Sequence, residues 1–225
     1  MRWLLILFSL FIFPLFCFGQ TTRDIGNSMA KINQQQFDQG MKMIDKKQIE
    51  GSPYLDKAFK PALIVKTDQS EIRNMALRYN IYENTMEFKQ KETVLFIVDP
   101  VTISKIVFAD RIFVYALYRA GGKTRLSYFQ VLNEGKYQLL KKYSTTFKAP
   151  ELKSDSPAKF VTQQPEYFLR YKNGMAHSIS SRKKLIKVLQ PVSEDIIDFI
   201  QREKINVRNE TELINTLQFI NRSEN

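Results

Sequence analysis

The chain is expected to fold as an α+β protein: an antiparallel meander sheet, curved or part-closed into a barrel, with an N-terminal helix and C-terminal helices packed on it. Three observations predict this. Short runs rich in β-branched and aromatic residues recur between Ala62 and Lys148, and turn residues divide them every 8 to 14 positions. After Ser180 the apolar spacing changes to that of amphipathic helices. The composition, 44% hydrophobic over 225 residues, suits a chain that buries its own core and not a disordered tail.

The first element is a targeting segment. Met1-Arg2 is a short basic start, Trp3 to Phe16 is almost unbroken apolar sequence, and Cys17-Phe18-Gly19 ends it, the layout of a secretory signal peptide. The apolar run is shorter than the roughly 20 residues of a bilayer span, so a retained anchor is disfavoured. A lipoprotein cut before Cys17 would want a small residue just ahead of it, and Phe16 stands there. Cleavage after Gly19 is expected, leaving 206 residues, no transmembrane span and no cysteine. Without disulfides the core must hold the fold by packing.

Residues 20–50 form a polar N-terminal segment. Its apolar residues Ile25, Met29, Ile32, Phe37, Met41 and Ile44 follow a loose helical period. "EGSPYLDKAF" is punctuation: Gly51 breaks, Ser52 caps, Pro53 suits a first turn, and Tyr54, Leu55 and Phe59 seal the edge of a core.

The β domain spans 51–180. "ALIVKT" (62–67) is its first strand. In "LRYNIYENTMEFK" (77–89) the apolar residues sit first on odd positions (Leu77, Tyr79, Ile81), then on even ones (Met86, Phe88). Strand side chains alternate between faces, so a parity switch demands a turn or a bulge. A two-residue turn at Glu83-Asn84 resolves it, since Asn84 tolerates the left-handed backbone such turns need. Ile81 then faces Met86, Tyr79 faces Phe88, and Leu77 faces Gln90, while the pairs Arg78/Lys89 and Asn80/Glu87 lie on an exposed face. "TVLFIV" (93–98), apolar on both parities, is expected to be buried on both faces. "ISKIVF" (103–108), the turn Ala109-Asp110-Arg111, "IFVYALY" (112–118), the loop 119–123, "LSYFQVL" (126–132), the turn 133–136 and "YQLLKKYSTTF" (137–147) continue the meander. The Pro-bearing stretch 149–166 reads as a long loop or crossover. "YFLRY" (167–171) and Asn173-Gly174 suggest a last hairpin, pairing with residues 175–179.

The C-terminal segment, 181–225, is helical. "SRKKLIKVL" (181–189) stops before Pro191. "SEDIIDFIQREK" (193–204) and "NETELINTLQFINR" (209–222) begin with acids and end with bases, as a helix dipole prefers, and Asn209 is a capping residue. Ile196, Phe199, Ile200, Leu213, Leu217 and Ile220 form apolar faces.

Charge is the least ordinary bulk property. The formal balance is +11, and residues 121–190 carry 14 Lys and Arg against 4 Asp and Glu. Such a field favours anionic partners. Nucleic acid is not expected, because an exported protein seldom meets it; an anionic envelope component or an envelope protein is. Lys183, Lys184 and Lys187, on one polar face of the first C-terminal helix, are the candidate anion- or partner-binding residues.

Catalytic patterns are nearly absent, and no cofactor, metal or catalytic residue is expected. His177 is the single histidine and no mature cysteine remains, so a His/Cys zinc site cannot be built. Ser178, Ser180 and Ser181 lack a nucleophile-elbow pattern. "AGGKT" (120–124) lies between strands, unlike a phosphate loop, which precedes a helix. The acids Glu83, Glu87, Asp99, Asp110 and Glu134 sit near turns, where two brought into one cleft would serve a glycosidase. Asn209-Glu210-Thr211 and Asn221-Arg222-Ser223 match glycosylation acceptors but fall on helix positions.

"GSPYL" (51–55), "LRYNIYENTMEF" (77–88) and "FQVLNEGKYQLLKKY" (129–143), taken with the closing helices, resemble a family of uncharacterised exported proteins of Gram-negative Bacteroidota. The resemblance covers most of the mature chain and implies a cell-envelope or periplasmic location. It carries no catalytic motif and no site residues. The expected function is therefore a non-enzymatic binding or accessory module of the envelope. The alternatives are a periplasmic lipid or lipoprotein carrier, whose cavity the aromatics Phe96, Phe108, Phe113, Tyr115, Tyr128 and Phe129 would line, and a carboxylate-dependent enzyme on an envelope glycan.

Overall fold

A computed structural model describes residues 49–120, 122–150, 156–189 and 194–223. The proposed signal peptide and N-terminal helix lie outside them. Twelve strands are described: β1 Lys60–Lys66, β2 Glu71–Asn80, β3 Thr85–Gln90, β4 Thr93–Phe96, β5 Ile103–Phe108, β6 Ile112–Ala120, β7 Lys123–Asn133, β8 Tyr137–Lys142, β9 Thr145–Lys148, β10 Lys159–Thr162, β11 Glu166–Tyr171 and β12 Ala176–Ser178. Three helices follow, α1 Arg182–Val188, α2 Glu194–Arg202 and α3 Glu210–Ser223. The α+β class and its antiparallel meander are as the sequence predicts.

Ten strands form one sheet in the order β12-β11-β8-β7-β6-β5-β1-β2-β3-β4. The first half of that order curls into a closed barrel, because Ala176 on β12 also pairs, in parallel, with Tyr118 on β6. β6 is where the sheet forks: its start pairs with β5 through Phe113 and Ile112, and its far half meets β12. β9 and β10 make a separate ribbon, so the stretch expected to be a plain loop contains a strand. The strand expected over 137–147 is broken in two, β8 and β9.

Three cores result. Inside the barrel Tyr118, Phe129 and Phe168 meet edge to face with centroids 5.2 to 5.6 Å apart, surrounded by Val114, Ala116, Leu140 and Ala176. The sheet β5-β1-β2-β3 folds over the outer face of β6 and β7, burying Ile64, Leu77, Tyr79, Met86, Ile106, Phe113 and Tyr128. The helices cover the outer face of β8 and β11, where Tyr137, Leu139 and Leu169 meet Ile196, Ile200, Leu213, Leu217 and Ile220. Each of these large side chains removes roughly 1.5–3 kcal/mol worth of apolar surface from water. The helix signals hold: Ser181 Oγ accepts from Lys184 N, and Asn209 Oδ1 accepts from Glu212 N.

Two strand expectations need correction. The β2–β3 hairpin forms, and Leu77, Tyr79, Met86 and Phe88 share one face, but Leu77 faces Phe88 and Tyr79 faces Met86. The connection holds four residues, Ile81 to Asn84, with Asn84 in the left-handed region at φ 54°. A shift of two in register leaves every face unchanged, which is why the parity argument could not detect it. β4 is not buried on both faces. It is the edge strand beyond β3, with only Leu95 buried and Val98 exposed.

Candidate functional site

Residues 51–59 lie as a strap across the end of the hairpin. Leu55 N donates to Tyr79 O, and Ile81 N to Pro53 O, at 3.0 and 2.7 Å. Gly51, at φ +76°, is needed there: a Cβ would collide with the Phe160 carbonyl oxygen. The strap brings Tyr54 and Phe59 onto Arg78, whose guanidinium carbon lies 3.7 and 4.4 Å from their ring centroids.

Arg78 donates to Glu87 Oε2 through Nε at 2.8 Å and through Nη2 at 2.7 Å, and to the Tyr54 hydroxyl at 2.8 Å. Asn80 Nδ2 donates to Glu87 Oε1 at 2.9 Å. Glu87 is only 5% exposed. The side of the hairpin expected to carry loose surface pairs therefore holds a buried ion pair, with Glu87 across from Arg78 and not from Asn80. Both carboxylate oxygens are committed, so Glu87 is no free base. Glu83 has its pKa raised, first by partial burial and then by the Glu87 charge, but it sits on an exposed turn. Asp110 is held below the usual carboxylate range, mainly by its hydrogen bond from Arg111. Asp99 and Glu134 are exposed at other loops. Among the described residues, no three His, Cys, Asp or Glu side chains are grouped to hold a metal.

Asn84 does more than make a turn. Its Oδ1 accepts from the Tyr79 hydroxyl (2.9 Å), Ser127 Oγ (2.9 Å) and Tyr128 N (3.2 Å), tying the hairpin tip to β7. Burial pushes the phenols of Tyr79 and Tyr128 well above their ordinary range. The aromatics expected to line a lipid cavity are instead packing residues: Phe113 and Phe129 are fully buried, and Tyr115 stacks on Tyr128 at 4.8 Å.

An opening of about 570 Å³ lies where β11 and β12 meet the α2–α3 connection. Tyr167, Ser178, Ile179, Ser180, Val207 and Arg208 are among its lining residues. Its rim reaches α1, because Lys184 Nζ donates to Ser180 Oγ at 2.9 Å. Lys183, Lys184 and Lys187 are all exposed on α1, and the buried Leu185 turns the opposite face inward. None of the three has a carboxylate partner among the described residues, and the acids of α2 (Glu194, Asp195, Asp198) form no ion pair with them. The cleft was not legible in the sequence, because its walls come from positions 164 to 208 with no shared pattern.

His177 is exposed on β12, and alternation along that strand turns it away from Ser178, so the two do not form a nucleophile pair. Gly122, at φ +74°, belongs to the β6–β7 hairpin, which closes with Ala120 opposite Lys123, so "AGGKT" leads from strand to strand and into no helix. The two glycosylation-like asparagines are structural: Asn209 caps α3, and Asn221 is buried.

Among the described residues no helix is long and apolar enough to cross a membrane. Comparison with family models, curated proteins and solved structures finds no match for this chain.

Proposed function

We propose that the chain is an exported, non-enzymatic binding or accessory module of the cell envelope that docks on an anionic surface through α1. The observation that carries this reading is the row Lys183, Lys184 and Lys187: three exposed ammonium groups on one helix face, none paired with an acid among the described residues, with Lys184 reaching the rim of the cleft. A solvated face would show the same residues, but exposed cations elsewhere among the described residues do find acids, as Lys89 does with Glu92 and Arg202 with Glu203. The signal-peptide layout of residues 1–19 and the resemblance to exported Bacteroidota proteins support the location. Packed contacts between helices and sheet argue against the lipid-carrier alternative, which needs a continuous apolar cavity there. The dispersal of the acids argues against a glycan hydrolase.

The test is sedimentation with anionic vesicles at two ionic strengths, for wild type and for a variant reversing all three lysine charges. Each exposed contact with an anionic surface contributes about 1 kcal/mol, so the variant is expected to bind about two decades more weakly at low salt. The gap should narrow as salt screens the field. Wild type that stays in the supernatant at low salt, or a variant that binds equally well, removes the proposal.

A further inference from the structure

The barrel interior contains a charge, that of Arg170, which has no acidic partner among the described residues. Arg170 lies on the inward face of β11, next along that face from Phe168, and is 7% exposed. Its cross-strand neighbours are Gln138 on β8 and Ala176 on β12. Nε and Nη2 both donate to Gln138 Oε1, at 2.8 and 2.5 Å, and among the described residues these are its hydrogen bonds. A guanidinium has five N–H donors, so three remain unspent. Accepting from Arg170 fixes the Gln138 amide with its oxygen inward, and its NH₂ group makes no hydrogen bond to any described residue.

The same protein shows how it treats a half-buried arginine that serves structure. Arg78 receives a carboxylate, a tyrosine hydroxyl and two aromatic faces. Arg170 receives one neutral amide oxygen. Burying an ionised group without an opposite charge is expensive, and burial does depress the Arg170 pKa, although a guanidinium keeps its proton at any ordinary pH. The barrel end at which β8 begins and β11 ends adds Lys172, whose backbone N donates to Lys136 O at 2.7 Å. Glu134, the acid at this end, lies exposed on the β7–β8 turn.

We infer that Arg170, with the amide of Gln138, is the receptor for a small oxyanion, a carboxylate or phosphate group entering at this end of the barrel. The unspent guanidinium donors match the paired oxygens of such a group, which would supply the missing opposite charge. The small exposed edge of Arg170 admits one charged group and not the body of a large ligand. This site is distinct from the α1 lysines and does not depend on them.

The experiment titrates the mature chain with inorganic phosphate and, separately, with acetate at constant ionic strength. Thermal midpoint and the Arg170 Nε–Hε resonance are followed for wild type, Arg170→Gln, Arg170→Met and the triple lysine reversal. Wild type should show a saturable rise in midpoint and a resonance shift with the same half-point, and the lysine variant should keep both. Arg170→Gln should bind the anion at least about tenfold more weakly. Without anion, Arg170→Met should melt no lower than wild type, because it removes an uncompensated charge. A preference for phosphate or for acetate identifies the group. A flat wild-type titration, an unchanged response in Arg170→Gln, or a lower anion-free midpoint in Arg170→Met overturns the inference. The wild-type resonance alone decides the matter where a variant fails to fold.

Discussion

Asn221, near the end of α3, pairs with Tyr137 as a neighbouring strand residue would. Tyr137 N donates to Asn221 Oδ1 and Asn221 Nδ2 donates to Tyr137 O, both at 2.8 Å, across 84 positions of sequence. A helix side chain thus completes the backbone pairing of a fully buried residue at the start of β8.

Asn221→Ala should therefore cost about 2–3 kcal/mol, because it leaves the Tyr137 amide and carbonyl without these partners in a buried setting. Urea unfolding should show a lower midpoint with an unchanged slope. Gly135→Ala should be destabilising through the same contact: φ is +136°, and a Cβ would lie 2.6 Å from the Asn221 amide. Combined, the two substitutions should cost less than their sum, since both damage one contact.

The Arg78–Glu87 pair makes a second prediction. Arg78→Met strands the buried Glu87 carboxylate and should cost about 3–4 kcal/mol, while Glu87→Met leaves a half-buried Arg78 that keeps Tyr54 and should cost less. The double substitution to methionine should recover much of that loss. A double-mutant cycle by chemical denaturation measures the coupling; additive losses would show that the pair does not act as a unit.

At Asn84, backbone and side chain can be separated. Asn84→Gly keeps the left-handed turn but removes the acceptor shared by Tyr79, Ser127 and Tyr128, and should cost about 2 kcal/mol. Asn84→Ala also forces a Cβ into that region and should lose about 1 kcal/mol more. Thermal or urea unfolding of the two variants, side by side, tests this order.

Alkaline pH should unfold the protein through its tyrosines. Burial raises the folded-state pKa of Tyr79 and Tyr128, and that of Tyr167 rises first by burial and then by its hydrogen bond to Glu210. The unfolded chain titrates these phenols near the ordinary value of 10.0. The raised pKa values therefore stabilise the fold fully below that pH, and the contribution falls away as pH climbs above it. The melting midpoint should drop above about pH 10. Absorbance at alkaline pH should show these phenolates appearing only with unfolding.

His177→Ala should change stability by no more than about 0.5 kcal/mol, as befits an exposed residue with no described partner. Its binding to anionic vesicles should match wild type.

What the sequence made legible was local. The hairpin at Leu77–Lys89 was readable because alternation fixes faces, and the helix caps because Ser181 and Asn209 sit where orphan amide groups need them. Edge position was not readable. "TVLFIV" is apolar throughout, yet Ile97 turns inward from a loop, with its N–H on Met86 O, while Val98 faces solvent. The burial of Glu87 was equally hidden, since its partner Arg78 is covered by Tyr54 and Phe59 of the strap, which no short-range pattern links to the hairpin. The lysine face could be found from helical spacing; the cleft beside it and the solitary Arg170 needed the closed barrel.

That barrel closes through the contact of Ala176 with Tyr118, joining strands 58 positions apart. Such a seam cannot form until nearly the whole β domain has left the translation or translocation machinery. Until then the far half of β6 and the outer side of β11 present unpaired amides and carbonyls, an invitation to pair with another chain. Folding should accordingly be slow for the chain's size, limited by loop closure over that long separation. A product truncated after Asn173 would keep most of its apolar residues, lose the seam, and self-associate more than the intact protein does.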